Sequence, residues 1–210
     1  MIKRLLFFAS SLLLLFISCT KQEDVTIDKL NGGGETESFT PMKVGNYWVY
    51  DVSWVDSMGM VEFIEMDSTY IAGDTMLNGN MYSIFKTSSS FIYTQYLRDS
   101  AQYLVDETGQ KFFSPTNFSD KLYETAFVNG SGDTTSYTYR KMIIPPGPTH
   151  CLVGSFDALD AEMTRYLPFV NRTSKAHALY APGVGLVFRQ DFPLFSGKSK
   201  TYNLHHYHLE

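Results

Sequence analysis

Two cysteines in 210 residues exclude a disulfide framework. A cationic surplus is missing too. Lys and Arg number 17 against 22 Asp and Glu, so the basic footprint that a nucleic-acid partner requires is absent. There is no Gly-x-Ser-x-Gly elbow and no His-Glu-x-x-His pair, and Gly183-Val184-Gly185 is not followed by the Lys-Ser/Thr of a phosphate loop. The main apolar run, Leu5 to Ile17, would be roughly 20 Å long as a helix, against about 30 Å of bilayer hydrocarbon. It is too short for a comfortable membrane span.

What is present at the N-terminus is the layout of a secretory signal: Lys3 and Arg4, the apolar run, then the small residue Ser18 before Cys19. Phe16-Ile17-Ser18-Cys19 resembles the bacterial lipobox, with Phe16 where Leu is usual. The resemblance implies a signal peptide over 1–18 and a mature chain starting at a lipidated Cys19. Diacylglycerol on its sulfur and a palmitate-type acyl chain on its nitrogen form the anchor, since more than one chain is needed for stable attachment. Residues 19–38 then read as a tether, polar and glycine-rich through Asn31-Gly32-Gly33-Gly34. Thr20-Lys21-Gln22-Glu23-Asp24 also resembles a surface-export signal, although a solvated linker explains it equally well. The expected location is the outer membrane, on its periplasmic face or at the cell surface. The mature chain carries 15 basic and 22 acidic residues, and lipidation leaves Cys151 unpartnered. Its apolar neighbours Leu152 and Val153 predict a buried thiol rather than a reactive one.

From residue 39 to residue 210 the sequence reads as a single β-rich domain. Short segments rich in Tyr, Phe, Val, Ile and Thr follow one another between turn residues: 46–55, 60–71, 80–87, 91–98, 101–106, 134–144, 177–180, 185–190 and 200–209. Asn78-Gly79 marks a tight hairpin, because both residues accept positive φ. One helix is expected, from Phe156 to Leu167, with Ser155 or Asp157 as its cap and Pro168 as its stop. Short connections favour an antiparallel meander. About eleven strands in one sheet must curl or split, so the fold expected is mainly β: a strongly curved sheet, half-barrel or barrel, with at most one or two short helices. The aromatic residues, 15% of the chain, are spread over every segment, which fits core packing better than a sugar-stacking platform.

Three stretches go beyond composition. Thr40-Pro41-Met42-Lys43-Val44-Gly45-Asn46-Tyr47-Trp48-Val49-Tyr50, Gly73-Asp74-Thr75-Met76-Leu77-Asn78-Gly79-Asn80-Met81-Tyr82 and Ala181-Pro182-Gly183-Val184-Gly185-Leu186-Val187 resemble, in order and spacing, motifs of uncharacterised secreted proteins and outer-membrane lipoproteins of Bacteroidota. The resemblance implies an exported β-rich domain and assigns no activity.

Candidate chemistry is sparse. His206 and His208 share a parity on the last segment and offer two metal ligands, one or two fewer than zinc normally takes; no metal or other cofactor is expected beyond the covalent lipid on Cys19. Asp157, Asp160 and Glu162 suit the first turn of the expected helix. Five of thirteen aspartates are followed by Ser or Thr and a small or apolar residue, which resembles the O-glycosylation acceptor of exported Bacteroidota proteins at Ser57, Ser68, Thr75, Ser100 and Thr134. Turn chemistry accounts for the same pattern. The leading functional expectation is a non-enzymatic envelope lipoprotein with a concave site for a hydrophobic or carbohydrate ligand or an envelope protein. The alternatives are a hydrolase of polysaccharide or other envelope polymers and a structural or adhesion subunit.

Overall fold

The computed structural model describes residues 38–88, 94–193 and 197–210. The expected signal peptide, Cys19 and nearly all of the tether lie outside the described residues. The strands are β1 (Tyr47–Val55), β2 (Val61–Leu77), β3 (Asn80–Thr87), β4 (Thr94–Ser100), β5 (Tyr103–Asp106), β6 (Lys111–Phe113), β7 (Lys121–Val128), β8 (Thr134–Ile143), β9 (Thr149–Cys151), β10 (Gly154–Phe156), β11 (Leu159–Leu167), β12 (Arg172–Ala181), β13 (Gly185–Gln190) and β14 (Ser199–His208). Twelve of them form one antiparallel sheet in the order β6-β5-β4-β3-β2-β1-β14-β13-β12-β11-β8-β7, nearly closed and barrel-shaped. Neighbours in sequence are neighbours in the sheet, as a meander requires, and β14 returns to pair with β1. The two ends of the ladder, β6 and β7, lie against each other without ladder hydrogen bonds. The seam of the barrel is there. The β9–β10 hairpin stands apart from the sheet and packs against β13 and β14.

Alternation along the strands shows why these segments close. In β1, Trp48, Tyr50 and Val52 are buried while Tyr47, Val49 and Asp51 between them are partly open. Tyr50 stands opposite Asp67 on β2 and Leu204 on β14. Register shifts at Val49/Tyr50, Val52/Ser53, Ile71/Gly73 and Leu179/Tyr180 add the local bends and twist that curl a sheet. Across the interior the Trp48 indole donates to the Val184 carbonyl at 2.6 Å, and the Phe113 ring on β6 meets Tyr180 on β12 at 4.6 Å. The Asn78-Gly79 turn is as expected, with φ of 51° and 78°.

The expected helix at Phe156 to Leu167 is absent. Phe156 ends the β9–β10 hairpin and Leu159–Leu167 is β11, paired with both β8 and β12. Leu159, Ala161 and Met163 fall on one side of the strand and Asp160 and Glu162 on the other, a period of two that local helix propensity obscured. Pro168 does not stop a helix; it opens a single 3-10 turn, Pro168–Val170, left through Asn171 at a φ of 47°. Ladder bonds to two neighbouring strands outweigh the few tenths of a kcal/mol per residue by which Ala, Glu and Met favour helix.

Gly185 carries two constraints together. Its φ is +98°, and a Cβ there would lie 3.4 Å from both Pro41 Cδ and Trp48 Nε1. Gly79 has a φ of +78° but open space around it. Gly185→Ala is expected to lower unfolding free energy by about 1–3 kcal/mol through backbone strain in a packed setting that leaves little room to relax, and Gly79→Ala, in open space, by less. Urea titrations of the two variants, read by tryptophan fluorescence, check the order.

Candidate functional site

The sheet register sets side chains from many strands on one inner wall. Met163 on β11 stands between Arg140 on β8 and Ala176 on β12. One level along, Arg189 on β13 stands between Ala178 on β12 and Tyr202 on β14. Small residues at Ala161, Ala176 and Ala178 leave space where larger ones would meet. The result is an open cavity of about 770 Å³, also walled by Tyr50, Tyr180 and Leu186. A narrower recess of about 160 Å³ adjoins it through Tyr50, Tyr180 and Leu186, and is lined further by Trp48, Phe85 and Leu97. The recess is predominantly apolar, with Arg189 at its boundary.

The wall carries many polar groups, and most of its charged ones are engaged. Tyr50 donates its hydroxyl to the Leu186 carbonyl at 3.0 Å. Burial pushes the pKa of Tyr50 and Tyr180 above the ordinary phenol value, so both remain neutral hydroxyls. Arg189 is bound to Asp191 at 2.7 Å and lies over the Tyr202 ring. Lys200 is 3.7 Å from Glu65. Asp67 accepts a bond from Ser88. Arg140, only 7% exposed, donates through Nη1 to the Lys111 carbonyl at 3.1 Å and lies over the Phe112 ring. Burial draws its pKa below the usual arginine value, yet arginine starts so high that the group keeps its charge.

Asp160 is the acidic residue whose role changes most from the sequence expectation. It begins no helix. It is buried on β11, accepts His177 Nδ1 at 2.7 Å and the Ala178 amide at 3.2 Å, and so fixes one edge of the cavity wall. Glu162 pairs with Lys175 at 2.8 Å, and exposed Asp157 lies in the connection between β10 and β11. Of the two carboxylates lining the cavity, Asp191 is engaged by Arg189 and Asp67 by Ser88.

His206 and His208 do share a face, as parity required, and both rings pack against Tyr47. His206 bonds the Tyr47 hydroxyl at 3.3 Å, His208 meets Glu210 at 3.3 Å, and His205 is 3.1 Å from Asp51. Among the described residues no three His, Cys, Asp or Glu side chains gather as a metal site. Cys151 is half-buried rather than fully buried, with Sγ donating to the Val187 carbonyl at 3.3 Å, and burial raises its pKa. The five acceptor candidates separate by exposure. Ser57 and Thr134 are exposed beside turns, whereas Ser68, Thr75 and Ser100 are half-buried within strands. At Ser57 turn chemistry also operates, because Asp56 accepts the amides of Met58 and Met60, each at 2.9 Å.

Arg140 and Arg189 were missed in the sequence. A signal for Arg140 was nevertheless available: in Thr134–Ile143 it shares parity with Thr138 and Met142, both of which are buried, so an arginine stood at an inward position of a strand.

No family model matches the chain, and no curated protein matches it. Two solved structures are similar to it. One is a candidate lipoprotein from Parabacteroides distasonis ATCC 8503, 12% identical over 83% of this chain and 100% of that one, with a TM-score of 0.46. The other is a candidate exported protein with YmcC-like fold from Bacteroides fragilis NCTC 9343, 11% identical over 82% of this chain and 99% of that one, with a TM-score of 0.43. At those scores neither likeness bears on what this chain binds.

The His177–Asp160 contact has a pH signature. The Asp160 hydrogen bond raises the His177 pKa above 6.5 against an opposing effect of burial. A raised histidine pKa contributes stability that is fully present below the unfolded value of about 6.5 and is lost as pH rises through the folded value. Asp160→Asn is therefore expected to show its largest stability deficit near pH 5.5 and a smaller one near pH 9, and to lower the His177 midpoint in an NMR titration. An unchanged midpoint would show the contact to be electrostatically inert.

Proposed function

We propose that this chain is an envelope lipoprotein, held by lipid on Cys19 in the outer membrane, that binds a small ligand inside its β-barrel without transforming it. The observation carrying this reading is the cavity of about 770 Å³, within the size range of small-molecule sites, whose mixed polar and aromatic lining adjoins a predominantly apolar recess. The anchor and the location rest on the lipobox resemblance. Ser57 and Thr134 are the acceptors best exposed for O-glycosylation.

Filling the cavity tests the binding reading. Ala176→Phe introduces a ring beside Met163, and the apolar probe 1-N-phenylnaphthylamine is expected to brighten with the unaltered protein and far less with the variant. Equal enhancement in two folded proteins would reject the cavity as the site. Intact mass tests the anchor: protein from its native host should exceed the polypeptide from Cys19 onward by diacylglycerol, an acyl chain and glycan. Cys19→Ser should remove the lipid increment and release the protein from membranes, and Ser57→Ala with Thr134→Ala should remove glycan mass.

A further inference from the structure

Every other cation on the cavity wall has an anionic partner: Arg189 has Asp191, Lys200 has Glu65 and His177 has Asp160. Arg140 has none. Among the described residues no carboxylate forms an ion pair with it, although it is 93% buried by its 7% exposure. Its hydrogen bond to Lys111 uses Nη1 alone. The other guanidinium nitrogens have no protein acceptor, and they are not among the solvent-sealed unsatisfied atoms, which are Arg98 Nε, Arg165 Nε and Asn203 Oδ1. They are therefore reachable by solvent, and Arg140 is a residue of the cavity wall. An arginine fork held this way, planar and backed by the Phe112 ring at 4.5 Å, has the geometry to donate to two oxygens of one anion.

The neighbouring recess supplies the opposite chemistry. It continues from the shared wall of Tyr50, Tyr180 and Leu186 into Trp48, Phe85 and Leu97, a surface for an alkyl or similarly apolar body. Tyr180 belongs to both spaces and its neutral hydroxyl can donate to an acid. Asp67 is the opposing charge on the cavity wall, on β2 opposite Tyr50, and it disfavours a second anionic group near it.

We infer that the ligand is an amphipathic monoanion, an oxyacid head seated on Arg140 with an apolar body in the recess. This rests on the cavity being the binding site. Losing a charge-assisted bidentate contact in a water-poor site is expected to weaken binding about tenfold or more.

Titration calorimetry on the purified full chain, below micellar concentrations, compares dodecanoate, dodecyl phosphate, dodecanol and dodecyltrimethylammonium. Dodecanoate or dodecyl phosphate binding at least about tenfold tighter than dodecanol and the cation supports the inference, and the tighter of the two identifies the head as carboxylate or phosphate. Arg140→Gln should bring the anion down to the affinity of dodecanol while leaving dodecanol unchanged. If that variant fails to fold because the Lys111 bond is lost, the comparison among the four ligands on the unaltered protein still decides. Equal affinity for dodecanoate and dodecanol overturns the anionic head while the cavity reading stands. No binding by any of the four overturns both.

Discussion

The pairing of β1 with β14 is the contact on which the rest of the molecule depends. It joins strands more than 140 residues apart, register by register from Tyr47 with His208 to Val55 with Ser199. Without it the chain is an open meander whose two halves share no wall. With it, Trp48 comes within reach of the Val184 carbonyl just before β13 and Tyr50 of the Leu186 carbonyl on β13, and the sheet curls until β6 and β7 meet. Such non-local pairing carries the largest loop-closure cost in the fold. It is offset by the burial of Trp48, Tyr50, Val52 and Leu204, each no more than 4% exposed.

Closure then creates the cavity. A barrel of about eight strands has an interior that its side chains fill, and diameter grows with strand number. Twelve strands enclose more than the aromatic residues of this chain occupy, and the alanines at 161, 176 and 178 widen the gap on one wall. The seam adds a second demand, since neither β6 nor β7 has a ladder partner on that side. Arg140 helps to meet it from within: starting on β8, its guanidinium reaches the Lys111 carbonyl of β6, joining the two halves of the sheet near the place where ladder hydrogen bonds stop.

Much of this was legible in the residues. The alternation in Tyr47–Val55 and Ser199–His208, the Asn78-Gly79 turn and the shortness of the connections all pointed to an antiparallel meander bent toward a barrel. The short β6, β9 and β10 lie outside the expected segments because three residues carry no periodic signal. The strand β7 and the first half of β12 lie outside them too, β7 because it ends in exposed Ala126-Phe127-Val128 without alternation, and the helix expected over β11 rested on a Ser155 or Asp157 cap and a Pro168 stop. The cavity was legible only as a kind of site. Its lining is drawn from strands as distant as β1, β8 and β13, and no spacing along one chain encodes which inward positions will face one another once the ends have paired.

Arg140 shows how structural and ligand-binding demands can meet in one side chain. A buried arginine with no carboxylate in contact is unfavourable for folding, because the desolvation of its charge is only partly offset by one carbonyl, an aromatic face and the more distant Asp106. Replacing it by a packed apolar residue could relieve that cost, and a neutral hydrogen-bonding side chain of similar reach could still address Lys111. A positive charge at this position is therefore more than the seam needs. An anion bound on the exposed side of the guanidinium would complete its coordination and would add stability that rises with the logarithm of ligand concentration above its Kd. The same group that ties β8 to β6 would then also hold the proposed anion, so that one side chain would serve both the seam and the cavity.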